Sequence, residues 1–402
     1  MDSNDYFELQ QQYHGRLDNT PTVFHRYAHT VIDWGNRLIG IKGARGVGKT
    51  TLVLQHAKEA YGFSEEALYV SLDNLWFSDH SLVELAHYFY LHGGRHLFLD
   101  EVHCYKQWQT TLKNLYDDYP DMTIVYTGSS MLQMAAAEGD LSRRLMDYEM
   151  RGMSFREYLS FEGVMSIAPI PLEQLLADHV AIAHEVKRSI PSVLPLFEQY
   201  LRQGYYPFYK EVSSGFNIRL QHIVSQILEV DYPAVDEISV ATIRKAKKML
   251  MVLAEHVPQV PTMNTLYAQL ETDRSQGMKI LYSLARGGLL ALLTDNTKSL
   301  KVLCRPEKIF LNNTNLMYAL GRKTDIGTIR ETFFMNQLSQ GHQVSYPAKG
   351  DFLVDGIHLF EVGGADKTFR QIKDEPHSYL AIDGVEYGMG NRIPLWMFGL
   401  LY

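Results

Sequence analysis

Cysteine is nearly absent from this chain: Cys104 and Cys304 are the only two in 402 residues. Two distant thiols build neither a disulfide scaffold nor a zinc cluster, and idle thiols in a reducing compartment are the expectation. Long apolar runs are missing as well. None approaches the roughly 18 residues that a membrane helix needs, so no membrane partner is expected. The opening stretch MDSNDYFELQ has neither the basic nor the apolar part of a secretory signal, which points to the cytoplasm. There is no excess of positive charge. The formal net charge of -8 excludes a chain that coats nucleic acid over its whole surface but leaves room for a local basic patch.

The rest is ordinary globular material, 46% hydrophobic and 21% charged, which allows sizeable cores and argues against wholesale disorder. A length of 402 residues exceeds one compact core, so roughly two to four domains are expected.

The strongest local signal is RLIGIKGARGVGKTTL, residues 37–52, where an apolar strand-like run meets a glycine-rich loop and then a helical pattern. The order G-x-x-x-x-G-K-T between a strand and a helix is a phosphate-binding loop. Glycines let backbone N–H groups close around phosphate oxygens, and the new helix directs its positive end at them. Gly43, Ala44, Arg45, Gly46, Val47, Gly48, Lys49, Thr50 and Thr51 are therefore the nucleotide-binding candidates. Lys49 would reach the β and γ phosphates, and the Thr50 hydroxyl would ligate magnesium.

Such a loop needs a second carboxylate. GGRHLFLDEVH, residues 93–103, supplies an apolar run ending in Asp100 and Glu101. Asp100 would hold the magnesium of the nucleotide and Glu101 would orient or deprotonate the attacking water. Between the two motifs lie a further strand candidate, ALYVSLD (67–73), and a helical stretch. One strand inserted between the loop strand and the Asp-Glu strand is the order of the P-loop ATPase branch with an added catalytic glutamate. MTIVYTGSS, residues 122–130, reads as a buried strand ending in hydroxyls. Thr127, Ser129 or Ser130 would sense the γ-phosphate at a strand's carboxyl end, Ser129 foremost, or these hydroxyl residues would cap the next helix. Arg143 and Arg144 follow, candidates for transition-state charge.

These residues resemble a family of prokaryotic AAA-type ATPases whose C-terminal half is similar to a winged helix joined to a PD-(D/E)xK nuclease-like fold. The resemblance spans nearly the whole chain. It is carried by GARGVGKTTL, by LDEVH with Trp108, by TGSS, by an arginine eleven residues before the Phe of SFREYL, and later by GYYP and KIFLNNTNLMYAL. That spacing singles out Arg144 over Arg143. The family's Gly-Arg is here Arg143-Arg144, and its Pro-Leu-Ser-Phe is Gly152-Met153-Ser154-Phe155. The resemblance implies ATP as the nucleotide.

Residues 163–235 read as helices punctuated by proline, a lid or connector without evident chemistry. Residues 236–310 hold three helix-like stretches and then two apolar runs around a polar tip with Asn296, Lys298 and Ser299, the winged-helix order. This segment carries 11 Lys plus Arg against 7 Asp plus Glu, leaving a net -12 on the other 327 residues. Its third helix offers Arg274, Ser275, Gln276, Lys279 and Arg286 as DNA contacts, while packing or protein contact is the other use of such a module.

The last region contains GDFLVDGIHLFEVGG, residues 350–364. Asp351 and Glu361 suit a second metal site of nuclease type, and Glu331, Lys367 and Gln371 fall in the family's order. Gly363, however, stands where the catalytic lysine belongs. A two-residue Asp355-Gly356 turn would put Asp351 and Glu361 on opposite faces, and a three-residue loop on the same face. The apolar pattern allows both.

The expectation is thus an α/β chain. A P-loop NTPase parallel sheet with helices on both faces (1–162) precedes a helical lid (163–235), a winged helix (236–310) and a degenerate restriction-endonuclease-like α/β domain (311–402). The expected cofactors are ATP and Mg2+. The expected partners are a nucleotide, DNA through the winged helix, or a protein, with a homo-oligomer if Arg144 serves a neighbour's nucleotide.

Overall fold

The computed structural model describes residues 3–131, 141, 143–212, 214–235, 238–256, 263–295, 306–321 and 325–402, with the side chains of Val235 and His256 excepted. The expected polar tip at Asn296, Lys298 and Ser299, and Cys304, lie outside the described residues. Among the described residues no helix is long and apolar enough to cross a membrane. The chain divides into two compact units, Met1–Gly152 and Met153–Tyr402.

In chain order the first unit contains α1 (Ser3–Asp18), α2 (Ala28–Val31), β1 (Leu38–Lys42), α3 (Lys49–Tyr61), β2 (Ala67–Ser71) and α4 (Leu82–Leu91). It continues with β3 (His96–Asp100), α5 (Trp108–Asp118), β4 (Thr123–Gly128) and β5 (Met146–Glu149). The strands form one parallel sheet in the order β2-β3-β4-β1-β5. Its central strands read as continuous apolar runs because helices cover both faces, and Leu38, Ile39, Ile41, Leu97, Phe98, Leu99 and Ile124 are all buried. Helix α4 starts where it does because Ser81 and Glu84 form a reciprocal capping box. In the sheet, the strand lying between β1 and β3 is β4, while the 67–73 segment of the sequence takes the far edge as β2.

The second unit opens with α6 (Phe155–Phe161), α7 (Leu172–Ser189), α8 (Leu194–Gln199), α9 (Phe216–Gln226) and α10 (Tyr232–Val235). Helix α6 falls inside the expected 1–162 segment yet packs with this unit. Phe155 meets Phe197 and Tyr200, and the Tyr402 carbonyl accepts hydrogen bonds from Ser154 (2.6 Å) and Arg156 (2.7 Å). Next come α11 (Val240–His256), α12 (Met263–Gln269) and α13 (Arg274–Arg286), then an antiparallel pair β6 (Leu290–Leu293) and β7 (Lys308–Leu311). The final part holds α14 (Thr314–Leu320), α15 (Ile326–Leu338) and a mixed five-stranded sheet. Its strands are β8 (Val344–Ser345), β9 (Phe352–Val354), β10 (His358–Gly363), β11 (Ser378–Ile382) and β12 (Arg392–Pro394), ordered β12-β11-β10-β9-β8. Phe334 of α15 anchors the core of this part between Phe352, Phe360 and Phe398.

Candidate active site

The loop between β1 and α3 is held by backbone conformations that side chains resist. Gly46 and Gly48 have φ of 82° and 98°, in the left-handed region that favours glycine. At Gly43 the constraint is contact: a Cβ there would lie 2.3 Å from the Met150 carbonyl oxygen. Val47 is buried beneath the loop, and its carbonyl accepts a hydrogen bond from the Arg26 guanidinium, which also donates to the Arg151 carbonyl at 2.7 Å. Lys49 is 5% exposed as a residue, and its ammonium donates to the carbonyls of Gly43 (2.8 Å) and Ala44 (3.1 Å). A cation folded against the loop at the first residue of α3 is positioned to turn toward phosphate oxygens.

Four donors converge on Asp100 at the carboxyl end of β3. Thr50 Oγ1 donates at 2.6 Å, the Tyr69 hydroxyl at 2.7 Å, the Glu101 N–H at 3.1 Å, and the Thr127 hydroxyl also donates. Burial, with Asp100 adding to it, pushes the Tyr69 phenol far above its ordinary range, so it stays a donor. The Thr50–Asp100 pair has the oxygen chemistry that suits the magnesium of a nucleoside triphosphate.

Glu101 has φ 51° and ψ 44°, a left-handed conformation that is costly for a non-glycine residue. Its Oε2 accepts from the Ser129 N–H at 3.2 Å and the Ser129 hydroxyl at 2.7 Å, and lies 3.2 Å from His103 Nδ1. His103 Nε2 is in turn 3.4 Å from an Arg45 nitrogen, so the chain Arg45–His103–Glu101–Ser129 links the phosphate loop to the end of β4. The sequence reading brought Lys49, Thr50, Asp100, Glu101, Thr127 and Ser129 to this place. It gave no role to Arg26 or Tyr69, which no local motif marks, nor to His103, which closes the LDEVH motif.

Other candidates lie elsewhere. Thr51 is exposed one residue past Thr50, and Ser130 is buried beside Ser129. Arg144 makes a two-pronged pair with Asp117 (2.9 and 3.0 Å) just before β5. Because β5 runs parallel to β1 with Met146 opposite Ile39, that is the end of the sheet remote from the phosphate loop. On α13, Arg274, Lys279 and Arg286 are exposed. Gln276 turns inward, its amide accepting from Thr272 (2.7 Å) and donating to Thr242 (3.3 Å).

In the C-terminal sheet the hairpin loop is Asp355-Gly356-Ile357, because His358 pairs with Val354 and Phe360 with Phe352. The loop has the three-residue length, but Asp351 sits just before β9 and its N–H donates to the Phe360 carbonyl at 2.9 Å, one residue off the regular pairing. Asp351 accepts from the Val362 N–H (2.9 Å) and from Lys308 (3.2 Å), which also donates to Glu331 at 2.9 Å. Burial tends to lower the Lys308 pKa, but Glu331 and Asp351 outweigh it and the net shift is upward. Glu331 is raised, since burial and Asp351 outweigh the help from Lys308. Glu361 is 1% exposed, with one oxygen 3.0 Å from the Lys367 ammonium and the other, Oε2, without a hydrogen-bond partner among the described residues. A Cβ on Gly363 would lie 2.8 Å from the Lys367 stem, so the absent side chain is what lets Lys367 fold back over β10. Gln371 falls in a short helical turn, Phe369–Gln371.

The motifs GYYP and NNTN serve architecture. Asn315 accepts from the Tyr205 N–H (2.9 Å) and donates to the Tyr200 and Leu201 carbonyls, and Asn313 donates to the Tyr206 hydroxyl at 3.1 Å.

Residues 35–159 match the family model described as AAA domain. This segment is an AAA-type P-loop ATPase domain. The chain is 27% identical over 383 residues to the uncharacterized protein MJ1637 of Methanocaldococcus jannaschii, covering 87% of this chain and 80% of that one. Among solved structures, it is similar to the Walker-type ATPase PABY2304 of Pyrococcus abyssi, with 12% identity and a TM-score of 0.39, covering 78% of this chain and 94% of the other. AMPPCP-bound DnaA from Aquifex aeolicus matches with 16% identity and a TM-score of 0.27, over 68% of this chain and 85% of its own. Neither score reaches 0.5, and no substrate or partner follows from them. The ATPase domain thus rests on its own loop, carboxylates and sheet order together with the family match.

Proposed function

We propose that this chain binds Mg–ATP through the loop 43–51, hydrolyses it with Glu101 as the base, and uses the cycle to gate DNA contact by its second unit. The observation that carries the reading is the convergence of Thr50, Asp100, Glu101 and Ser129 beside a buried Lys49. Thr50 and Asp100 would hold the magnesium, which when bound supplies charge neutralisation at the phosphates. Lys49 would bind the β and γ phosphates. Glu101, aimed by Ser129, would take a proton from the attacking water.

Arg144 lies at the remote end of its own sheet, so its role in this reading is to reach the nucleotide of a neighbouring copy in a homo-oligomer. Removing such an arginine costs about 10³–10⁵ in rate. Lys49→Ala and Arg144→Ala are each expected to be inactive alone and to recover part of the turnover when mixed, as one supplies the arginine and the other the intact loop. No recovery in a mixture shown to co-assemble contradicts the trans role; turnover retained by Lys49→Ala contradicts the nucleotide site itself.

For the second unit, three helices followed by an antiparallel strand pair support the winged-helix reading. Lys279 and Arg286 support DNA contact: at about 100° per residue they lie within about 20° of one another around α13. Duplex affinity falling steeply with salt is the expected result. Binding only to a protein partner, with no duplex or single-strand binding at low salt, is the outcome that overturns it.

One observation favours a second reading, a metal-dependent nuclease centre. The Asp351 carboxylate bonds the Val362 N–H next to Glu361, one Glu361 oxygen has no hydrogen-bond partner among the described residues, and Lys367 reaches Glu361 across Gly363. In this reading Asp351, Glu361 and Glu331 would hold a divalent ion that supplies Lewis acidity, with the Lys308 ammonium now pairing Glu331 and Asp351. Cleavage of DNA with Mg2+ or Mn2+, lost in Lys367→Ala, is the expected result. Absence of cleavage with either ion, ATP present or not, leaves the cluster as a buried ionic scaffold.

A further inference from the structure

Two histidines and a glutamate in the first unit have no part in the chemistry above. His25 and His29 flank Arg26 just before and within α2, and Glu59 lies on the exposed side of α3. His25 Nε2 is 2.7 Å from Glu59 Oε1, and His29 Nε2 is 3.4 Å from Glu59 Oε2. One ligand atom from each residue can be chosen so that all three lie within 4.8 Å of one another. Ligands on a tetrahedral zinc ion, with bonds near 2.0–2.1 Å, are spaced roughly 3.3 Å apart. The three groups therefore need only small side-chain adjustments to close around one ion.

The two imidazole nitrogens face different oxygens of one carboxylate, but at unequal distances. The His25 nitrogen takes a 2.7 Å bond, whereas His29 Nε2, sealed from solvent, makes no hydrogen bond among the described residues. Surrounding rings hold the two imidazoles in place. They meet edge to face at 4.6 Å, His29 packs on Trp34 at 5.9 Å, and Trp34 stacks on His56 at 3.8 Å. The Trp34 indole N–H donates to the His29 carbonyl at 3.0 Å, which steadies the backbone that carries the ligand.

We infer that His25, His29 and Glu59 bind one divalent transition-metal ion of the zinc class, with water as the fourth ligand. Donor chemistry sets the class: two imidazoles and one carboxylate suit zinc and its neighbours, whereas magnesium and calcium take all-oxygen sets. Accessibility supplies the open position. The side chains of Glu59 and His25 are 38% and 29% exposed, so the ion can exchange with solvent.

The site's place in the fold gives it a consequence, which rests on the nucleotide reading above. Arg26, between the two histidines, donates to the Val47 carbonyl in the phosphate loop, and Glu59 belongs to the helix that Lys49 begins. An ion joining 25–29 to α3 fixes the backbone that delivers this guanidinium. Metal and nucleotide are then expected to favour each other's binding to an equal degree, as linkage requires.

The test measures metal first and nucleotide second. Equilibrium dialysis of the full chain against Zn2+ is expected to give one ion per chain, and Co2+ to give the intense visible bands of a four-coordinate site. His29→Ala and Glu59→Gln, checked for folding by circular dichroism and melting, are expected to lose more than the roughly 10–100-fold in affinity typical of an outer-shell change. His222→Asn, an exposed histidine in the other unit, serves as the control and is expected to change nothing. No bound ion, or equal binding in the folded ligand variants, overturns the site. Arg26→Lys is expected to keep the ion and abolish its effect on ATP affinity. An undiminished effect in that variant overturns the coupling while leaving the metal site, and the ATPase reading, standing.

Discussion

Replacing Ser129 by alanine removes one hydroxyl and tests what holds Glu101. The Ser129 hydroxyl lies 2.7 Å from Glu101 Oε2, a charge-assisted hydrogen bond worth about 1.5–3 kcal/mol. Glu101 also sits in a left-handed backbone conformation of the kind that costs about 1–3 kcal/mol, so only its surroundings keep the carboxylate oriented. Alanine retains the Ser129 N–H at 3.2 Å and leaves His103 Nδ1 in place. The loss therefore falls in the lower part of the range, about 1.5–2 kcal/mol, or roughly 10–30-fold in kcat. Because Ser129 acts on Glu101 in this account, ATP affinity is expected to stay the same, and threonine at this position to restore most of the rate. Rapid-quench single turnover measures the chemical step, and equilibrium titration with a fluorescent ATP analogue measures binding. A tenfold loss of affinity with kcat intact would show that Ser129 touches the nucleotide instead, and no change in either would refute the reasoning.

Other outcomes follow from the same geometry. Gly43→Ala puts a Cβ 2.3 Å from the Met150 carbonyl oxygen, so the loop must shift; a loss of about 1–3 kcal/mol of stability and weaker ATP binding are expected by denaturant titration and calorimetry. If the second unit contacts duplex DNA, Lys279→Ala and Arg286→Ala each flatten the dependence of log affinity on log salt by about one unit, whereas Gln276→Ala leaves that slope alone. His56 is pushed down to about 4, first by burial and then by His29. An unfolded histidine titrates near 6.5, so between about pH 6.5 and 4 the unfolded chain binds a proton that the folded chain refuses. This contribution to stability is whole above that window and is lost as pH falls through it. His56→Phe is expected to flatten the pH dependence of the melting temperature there.

The ATPase part was legible because its chemistry is written in contiguous residues. A strand, a glycine loop and Lys49-Thr50 are adjacent in sequence and in space, and Asp100-Glu101 follow directly from the end of β3. Residues that act through tertiary contact left no such trace. Arg26 reaches Val47 across 21 residues and Tyr69 reaches Asp100 from a neighbouring strand, each at a position where any long polar side chain looks ordinary. Strand order was only partly readable, since nothing local says that β2 takes the edge and β4 the middle. The hairpin at 355–357 was undecidable for a physical reason: both registers mix apolar and polar positions on each face. Asp355 and Gly356 form a turn with positive φ, 53° and 71°, and Ile357 is the extra residue before pairing resumes at His358. Lys367 illustrates the limit of spacing arguments, because its approach to Glu361 depends on the missing side chain at 363. GYYP and NNTN carried the resemblance, yet their side chains are spent on buried hydrogen bonds within the second unit.

The central claim is that Glu101 activates water at a nucleotide gripped by Lys49 and Thr50. Glu101→Gln keeps the shape and the acceptor for Ser129 but removes the base. After incubation with Mg–ATP and rapid desalting, this variant is expected to retain close to one unhydrolysed ATP per chain, where the unaltered chain retains ADP or nothing. Turnover by Glu101→Gln at the rate of the unaltered chain, or no nucleotide on either protein, would contradict the account.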